Sequence, residues 1–188
     1  MNTREVIRKI IEESKDHYSF SSTQFQCDDV ITNKVRAFHF EPEQLHFDET
    51  GGMGKEDDVH CTILYGLHMK ELEPELVDYM SNVEPFYVTM GNISYFDCDD
   101  YDVMKIEVQG NELHNLHNGL KETFENTQSF PEFNPHVTIA YIKKGYNRGL
   151  VDNYAFIGNK MLVDKLSFSS RDGDKTVVPF KQAELTLK

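Results

Sequence analysis

Apolar side chains recur along this chain in two rhythms, one helical and one alternating, and the changes between them mark out its elements. Val6, Ile7, Ile10 and Ile11 sit among Arg4, Glu5, Arg8, Lys9, Glu12 and Glu13 at helical spacing, predicting an amphipathic helix over residues 1–18. SFSSTQFQC (19–27) alternates as a strand does, and DDVITNKVRAF (28–38) opens on two aspartates able to cap a short helix. Residues 41–58 break both rhythms. Pro42, the run Gly51-Gly52-Met53-Gly54-Lys55 and the acids Glu56, Asp57 and Asp58 predict a long loop or lid. It is not a phosphate-binding P-loop, because no Gly stands five residues before Gly54 and no Ser or Thr follows Lys55.

Alternation returns in VHCTILYG (59–66), a strand bounded by glycine, and a helix follows from near Pro74 through Met80. PFYVTMGNISYF (85–96) and YDVMKIEV (101–108) flank the acidic turn DCDD as a hairpin. NELHNLHNGLKETF (111–124) sets Leu113, Leu116, Leu120 and Phe124 on one helical face. PHVTIAYIKKG (135–145) is a strand, an irregular segment runs to about Asn159, and KMLVDKLSFSS joins TVVPF through a DGDK turn as a terminal hairpin. Segregated helices with mostly antiparallel strands predict an α+β fold, organised as a single bilobal domain over residues 1–188.

One pattern is written twice. HCTILY (60–65) and HVTIAY (136–141) share His-x-Thr-Ile-x-Tyr. With eight histidines and eleven threonines, an isolated H-x-T arises by chance about half the time, but the longer pattern is expected on the order of once in a thousand such chains. Its repetition, on strands near 59–65 and 136–142, points to an internal duplication or a paired site.

Charge narrows the function. Nineteen Lys plus Arg against 32 Asp plus Glu give a formal net charge of −13, which repels duplex DNA and anionic membrane surfaces outside any local basic groove. A small phosphorylated ligand stays compatible, because two or three cations suffice to hold one phosphate. Cys27, Cys61 and Cys98 are odd in number and widely spaced, so neither a disulfide framework nor a zinc site is predicted, and a cytoplasmic setting follows. No segment is long and apolar enough to span a bilayer as a helix. The oligomeric state is not legible.

On a strand, His60 and Thr62 project to one face, as do His136 and Thr138. If the two strands meet, two imidazoles and two hydroxyls converge. An imidazole titrates near neutrality, so one ring can serve as base and the other as acid in a phosphodiester displacement, with no cofactor required. The hydroxyls can hydrogen-bond the non-bridging oxygens as charge builds on them.

Paired H-x-T motifs of this kind resemble the 2H phosphoesterase superfamily, over roughly residues 20 to 180. EDDVHCTILYGLH and SFPEFNPHVTIAYIKKG resemble phage-encoded members in particular. The resemblance implies two antiparallel sheets with outer helices and a cleft between them. It makes His60 and His136 the catalytic histidines and Thr62 and Thr138 the phosphate-contacting hydroxyls. The implied activity is metal-independent cleavage of a small ribose-containing phosphodiester, such as a cyclic nucleotide or oligonucleotide. A phage nuclease degrading a CBASS defence signal in the host cytoplasm is one such enzyme. A nucleotide- or RNA-end-binding module without turnover, and RNA processing or 2'-5' ligation, are the alternatives.

Three further positions are candidates for substrate binding. Tyr65 and Tyr141 fall five residues beyond their histidines, on the opposite face of a regular strand, where packing beneath the sheet competes with substrate contact. Lys143 and Lys144 end the second motif strand, where one of the pair can face the cleft and hold phosphate in competition with a solvated strand end; Lys143 is the candidate. His114 and His117, at i and i+3, read as a solvated helix face, and the acids Glu56 to Asp58 as solvated loop charges.

Overall fold

Two four-stranded sheets, antiparallel throughout their pairings, organise the computed structural model, which describes residues 20–49, 51–128, 130, 132–146 and 154–181. The predicted helix over 1–18 lies outside the described residues, as does part of the irregular segment before Asn159. The first sheet has the order β2-β1-β7-β8, from β1 (Ser21–Gln26), β2 (His60–Leu67), β7 (Lys165–Ser169) and β8 (Lys175–Pro179). The second has the order β5-β4-β3-β6, from β3 (Phe86–Asp97), β4 (Tyr101–Gln109), β5 (His136–Lys143) and β6 (Lys160–Val163). Helices α1 (Asp29–Arg36), α2 (Pro74–Ser81) and α3 (Asn111–Thr123) complete an α+β fold.

The duplication suggested by the motifs is visible in the connections. β1 leads through α1 to its neighbour β2, and β4 leads through α3 to its neighbour β5, so each motif strand ends a strand–helix–strand unit at a sheet edge. α1 begins where expected: the Asp28 side chain accepts from the Ile31 amide and satisfies an otherwise orphaned donor. Ile31 and Val35 are its buried residues; Leu113, Leu116 and Leu120 are buried on α3. His117 joins that buried face and is not solvated as expected, whereas His114 is exposed.

Two other expectations are corrected. KMLVDKLSFSS is two strands, not one: β6 pairs with β3, and after Asp164, β7 pairs with β1 and β8 in the other sheet. Residues 41–58 are not simply a loop. After a 3₁₀ turn at Pro42–Gln44 the segment runs along the edge of β5 that β4 leaves open. The amide of His46 donates to the Tyr141 carbonyl, that of Tyr141 to Gly54, and that of Glu56 to Ile139. These bonds cover the edge of a strand that would otherwise present unpaired backbone groups. Lys55 ties the segment to the end of α1 by donating to the carbonyls of Arg36 and Phe38 at 2.6 Å.

Candidate active site

Both motif strands depart from regular alternation at the same place. The register of β2 against β1 slips between the partners of Thr62 and Leu64, and that of β5 against β4 slips between the partners of Thr138 and Ala140. In each strand two consecutive apolar residues, Ile63-Leu64 and Ile139-Ala140, are therefore buried on the core side. The bulge returns Tyr65 and Tyr141 to the face that carries His60, Thr62, His136 and Thr138. This corrects the opposite-face expectation, which assumed a regular strand. Tyr65 is 41% exposed, and Tyr141 meets Tyr101 edge-on at 5.9 Å.

The two histidines are held alike. Nδ1 of His136 lies 2.7 Å from the carbonyl oxygen of Asn134, and Nδ1 of His60 contacts the carbonyl of Asp58, in each case two residues back. A carbonyl only accepts, so each Nδ1 carries a proton and each Nε2 is left for other work. The motif strands pack against each other: Cys61, on the core side next to His60, interacts with the backbone of His136. Burial pushes the Cys61 thiol up to about 12, which makes it a packing group and not a nucleophile.

The surroundings of the two rings differ. Asp58 Oδ2 lies 3.2 Å from Nδ1 of His60, and the same carboxylate accepts from Lys175 and from Gln24. Partial burial opposes ionisation of Asp58, but Lys175, His60 and Gln24 together hold its carboxyl below the usual range. Asp58 is thus not the solvated loop charge expected. His136 meets Phe96 edge-on at 4.8 Å, and Phe96 carries Lys105 on its face. Burial, then the positive charges of Lys105 and His60, lower the pKa of His136 against the raising effect of its bond to Asn134.

Lys143 is exposed at the end of β5, on the face of Tyr141 by alternation. Lys144 is engaged with Asp97, with the Cys98 carbonyl and with Asp102 at 3.5 Å. The residues not anticipated are Asp58, Lys105, Phe96 and Lys175. Lys105, a cation between Met104 and Ile106, was the available signal; Phe96, one aromatic among several in its strand, offered none.

A family model for the 2'-5' RNA ligase superfamily matches residues 37–175, spanning both motifs. Among solved structures, E. coli LigT complexed with 3'-AMP is 17% identical, covers 89% of this chain and 98% of its own, and has a TM-score of 0.53. E. coli LigT complexed with NADP+ is 16% identical, with 87% and 95% covered and a TM-score of 0.52. A crystal structure of a phosphoesterase is 16% identical, with 87% and 99% covered and a TM-score of 0.51. These likenesses establish the fold. No curated protein matches the sequence.

Proposed function

Since this chain belongs to the 2'-5' RNA ligase superfamily, we propose that it is a metal-independent phosphodiesterase acting on a small ribose-containing phosphodiester. The observation that carries the reading is the paired anchoring of His60 and His136, each with Nδ1 bound to a carbonyl and Nε2 left over. A pair of imidazoles with different surroundings divides the labour of acid and base. His136, kept neutral by burial and nearby positive charge, is the base: its Nε2 takes the proton of the attacking hydroxyl, from water or a neighbouring ribose 2'-OH. His60, beside the Asp58 carboxylate, is the acid and gives its Nε2 proton to the departing oxygen. The new P–O bond forms as the old one breaks, and one proton enters the pair as another leaves. Thr62 and Thr138 donate to the non-bridging oxygens as their charge grows.

The nucleotides in the E. coli LigT crystals, 3'-AMP and NADP+, support a substrate of nucleotide size. The net charge of −13 supports a short substrate over a long RNA. Tyr65, Tyr141 and Lys143 share the face of the motifs and would contact the remainder of the substrate.

The test is incubation with a panel of cyclic nucleotides, cyclic oligonucleotides of the bacterial defence type and linear 2'-5' and 3'-5' oligonucleotides, with products read by mass spectrometry. Cleavage of at least one member, unaffected by EDTA, is expected. Loss of activity in EDTA with recovery on adding Mg²⁺ would overturn the metal-independent mechanism. Tight binding without products would make the protein a nucleotide-binding module.

A further inference from the structure

Lys105 is a buried lysine on the face of β4 that looks the same way as the second motif, and the mechanism above leaves its ammonium without a task. It is 7% exposed and stands in register with Thr138 across the β4–β5 pair. Its Nζ donates to Ser94 Oγ at 2.7 Å and lies 4.4 Å from the centroid of the Phe96 ring. The same ring meets His136. Among the described residues the Ser94 hydroxyl is its hydrogen-bond partner, and Glu107, two residues along, supplies only longer-range attraction.

An ammonium withdrawn from water with no opposite charge in contact is costly, and burial accordingly pushes Lys105 below the usual lysine range. A hydroxyl and an aromatic face return only part of that cost. The flanking residues Val103, Met104, Ile106 and Val108 are all buried and apolar, so the strand has no structural need of a cation here. Three donors radiate from an ammonium, and Ser94 takes one. What completes the arrangement is an anion lying where Thr138 and His136 also reach.

We infer that Lys105 is a third phosphate contact of this site, its ammonium donating to a non-bridging oxygen of the phosphoryl group that Thr138 also binds. The inference rests on the phosphodiesterase reading and deepens it. A charged donor on a non-bridging oxygen stabilises the charge developing there more strongly than a hydroxyl does. It also gives an acidic chain a local cation that favours phosphoryl ligands over neutral ones. Because Lys105 neighbours His136 through Phe96, the cation that binds the phosphate also keeps the base unprotonated until substrate arrives.

The experiment measures inorganic phosphate and a nucleoside 3'-monophosphate binding to wild-type protein, Lys105→Met and Lys105→Arg by calorimetry, with the His136 ring titrated by NMR. Lys105→Met is expected to weaken both ligands about ten- to hundredfold, the scale of a lost charged hydrogen bond. It should also raise the His136 pKa, while Lys105→Arg restores most of the affinity. A lysine with only a packing role would change the melting temperature and leave both affinities alone, and that result overturns the inference. Should Lys105→Met not fold, the wild-type Lys105 ε-carbon decides: its titration moves up on saturation with phosphate, and an unmoved titration overturns the inference. If wild-type protein binds neither ligand, the phosphodiesterase reading fails, and this inference with it.

Discussion

His117, on α3, has its Nδ1 2.7 Å from the carbonyl oxygen of Ile63, so a helix from one strand–helix–strand unit fixes the bulge in the motif strand of the other. The ring also stacks on Phe133, 4.0 Å between centroids and 2° from parallel. His117→Leu keeps apolar bulk but orphans the Ile63 carbonyl. Stability should fall by about 1–3 kcal/mol, the cost of an unsatisfied buried acceptor. Turnover should fall as well, because Thr62 and Tyr65 flank that bulge. Urea denaturation and steady-state kinetics on the same variant check both, and a loss of stability without any kinetic change would show the bulge to be irrelevant to the site.

His60→Ala and His136→Ala should each lower turnover at least about a hundredfold, the scale of losing a general acid or base. Circular dichroism should be unchanged, since neither ring belongs to the buried core. Near-normal turnover in either folded variant would refute the paired-histidine mechanism.

Thr62→Val and Thr138→Val preserve side-chain shape and remove a donor aimed at the phosphate. Turnover should drop about ten- to thousandfold in each, with Ser in place of Thr restoring most of it. Equal rates for the Val and Thr enzymes would place the hydroxyls away from the reacting phosphate.

The pH–rate profile should be bell-shaped, with limbs belonging to the pair. The acid limb reports His136 acquiring a proton, and it should lie below the ordinary histidine range because burial and Lys105 oppose that proton. Asp58→Asn removes the carboxylate that faces His60 Nδ1 at 3.2 Å, so turnover should fall while the acid limb stays. Unchanged turnover in that variant would remove Asp58 from the support of His60.

Stability should also decline with acid. The folded pKa values of His117 and His136 are both lowered, chiefly by burial. Protonation below the unfolded value near 6.5 therefore favours the unfolded chain. Their contribution is complete above about pH 6.5 and is lost as the pH falls from there through the folded values. Melting temperatures measured between pH 7.5 and 5 should fall, and His117→Phe should flatten the slope.

Alternation found most strands because each buries one face, and the helical spacing of Leu113, Leu116 and Leu120 found α3 for the same reason. It failed where the pattern has no local cause. Nothing within KMLVDKLSFSS announces that Asp164 separates two sheets, since apolar residues suit both partners equally. The pairing of 45–56 with β5 depends on a strand distant in sequence. Repetition exposed the four motif residues, but the bulges were hidden in plain sight: Ile63-Leu64 and Ile139-Ala140 are adjacent apolar pairs in otherwise alternating strands. Lys105 stands in no motif, and its place opposite Thr138 follows from a pairing with a strand distant in sequence.

The interleaving of the two sheets bears on how the chain is made. β1 and β2 emerge early from the ribosome, yet β1 pairs with β7, Ser22 opposite Ser169, only after the whole second sheet has been synthesised. Until then β1 offers an open edge to any neighbouring chain, and its long-range pairing makes closure slow. A nascent chain halted before Lys165 would carry both H-x-T motifs and a complete second sheet while exposing that edge, which makes it an aggregation hazard and not a working half-enzyme.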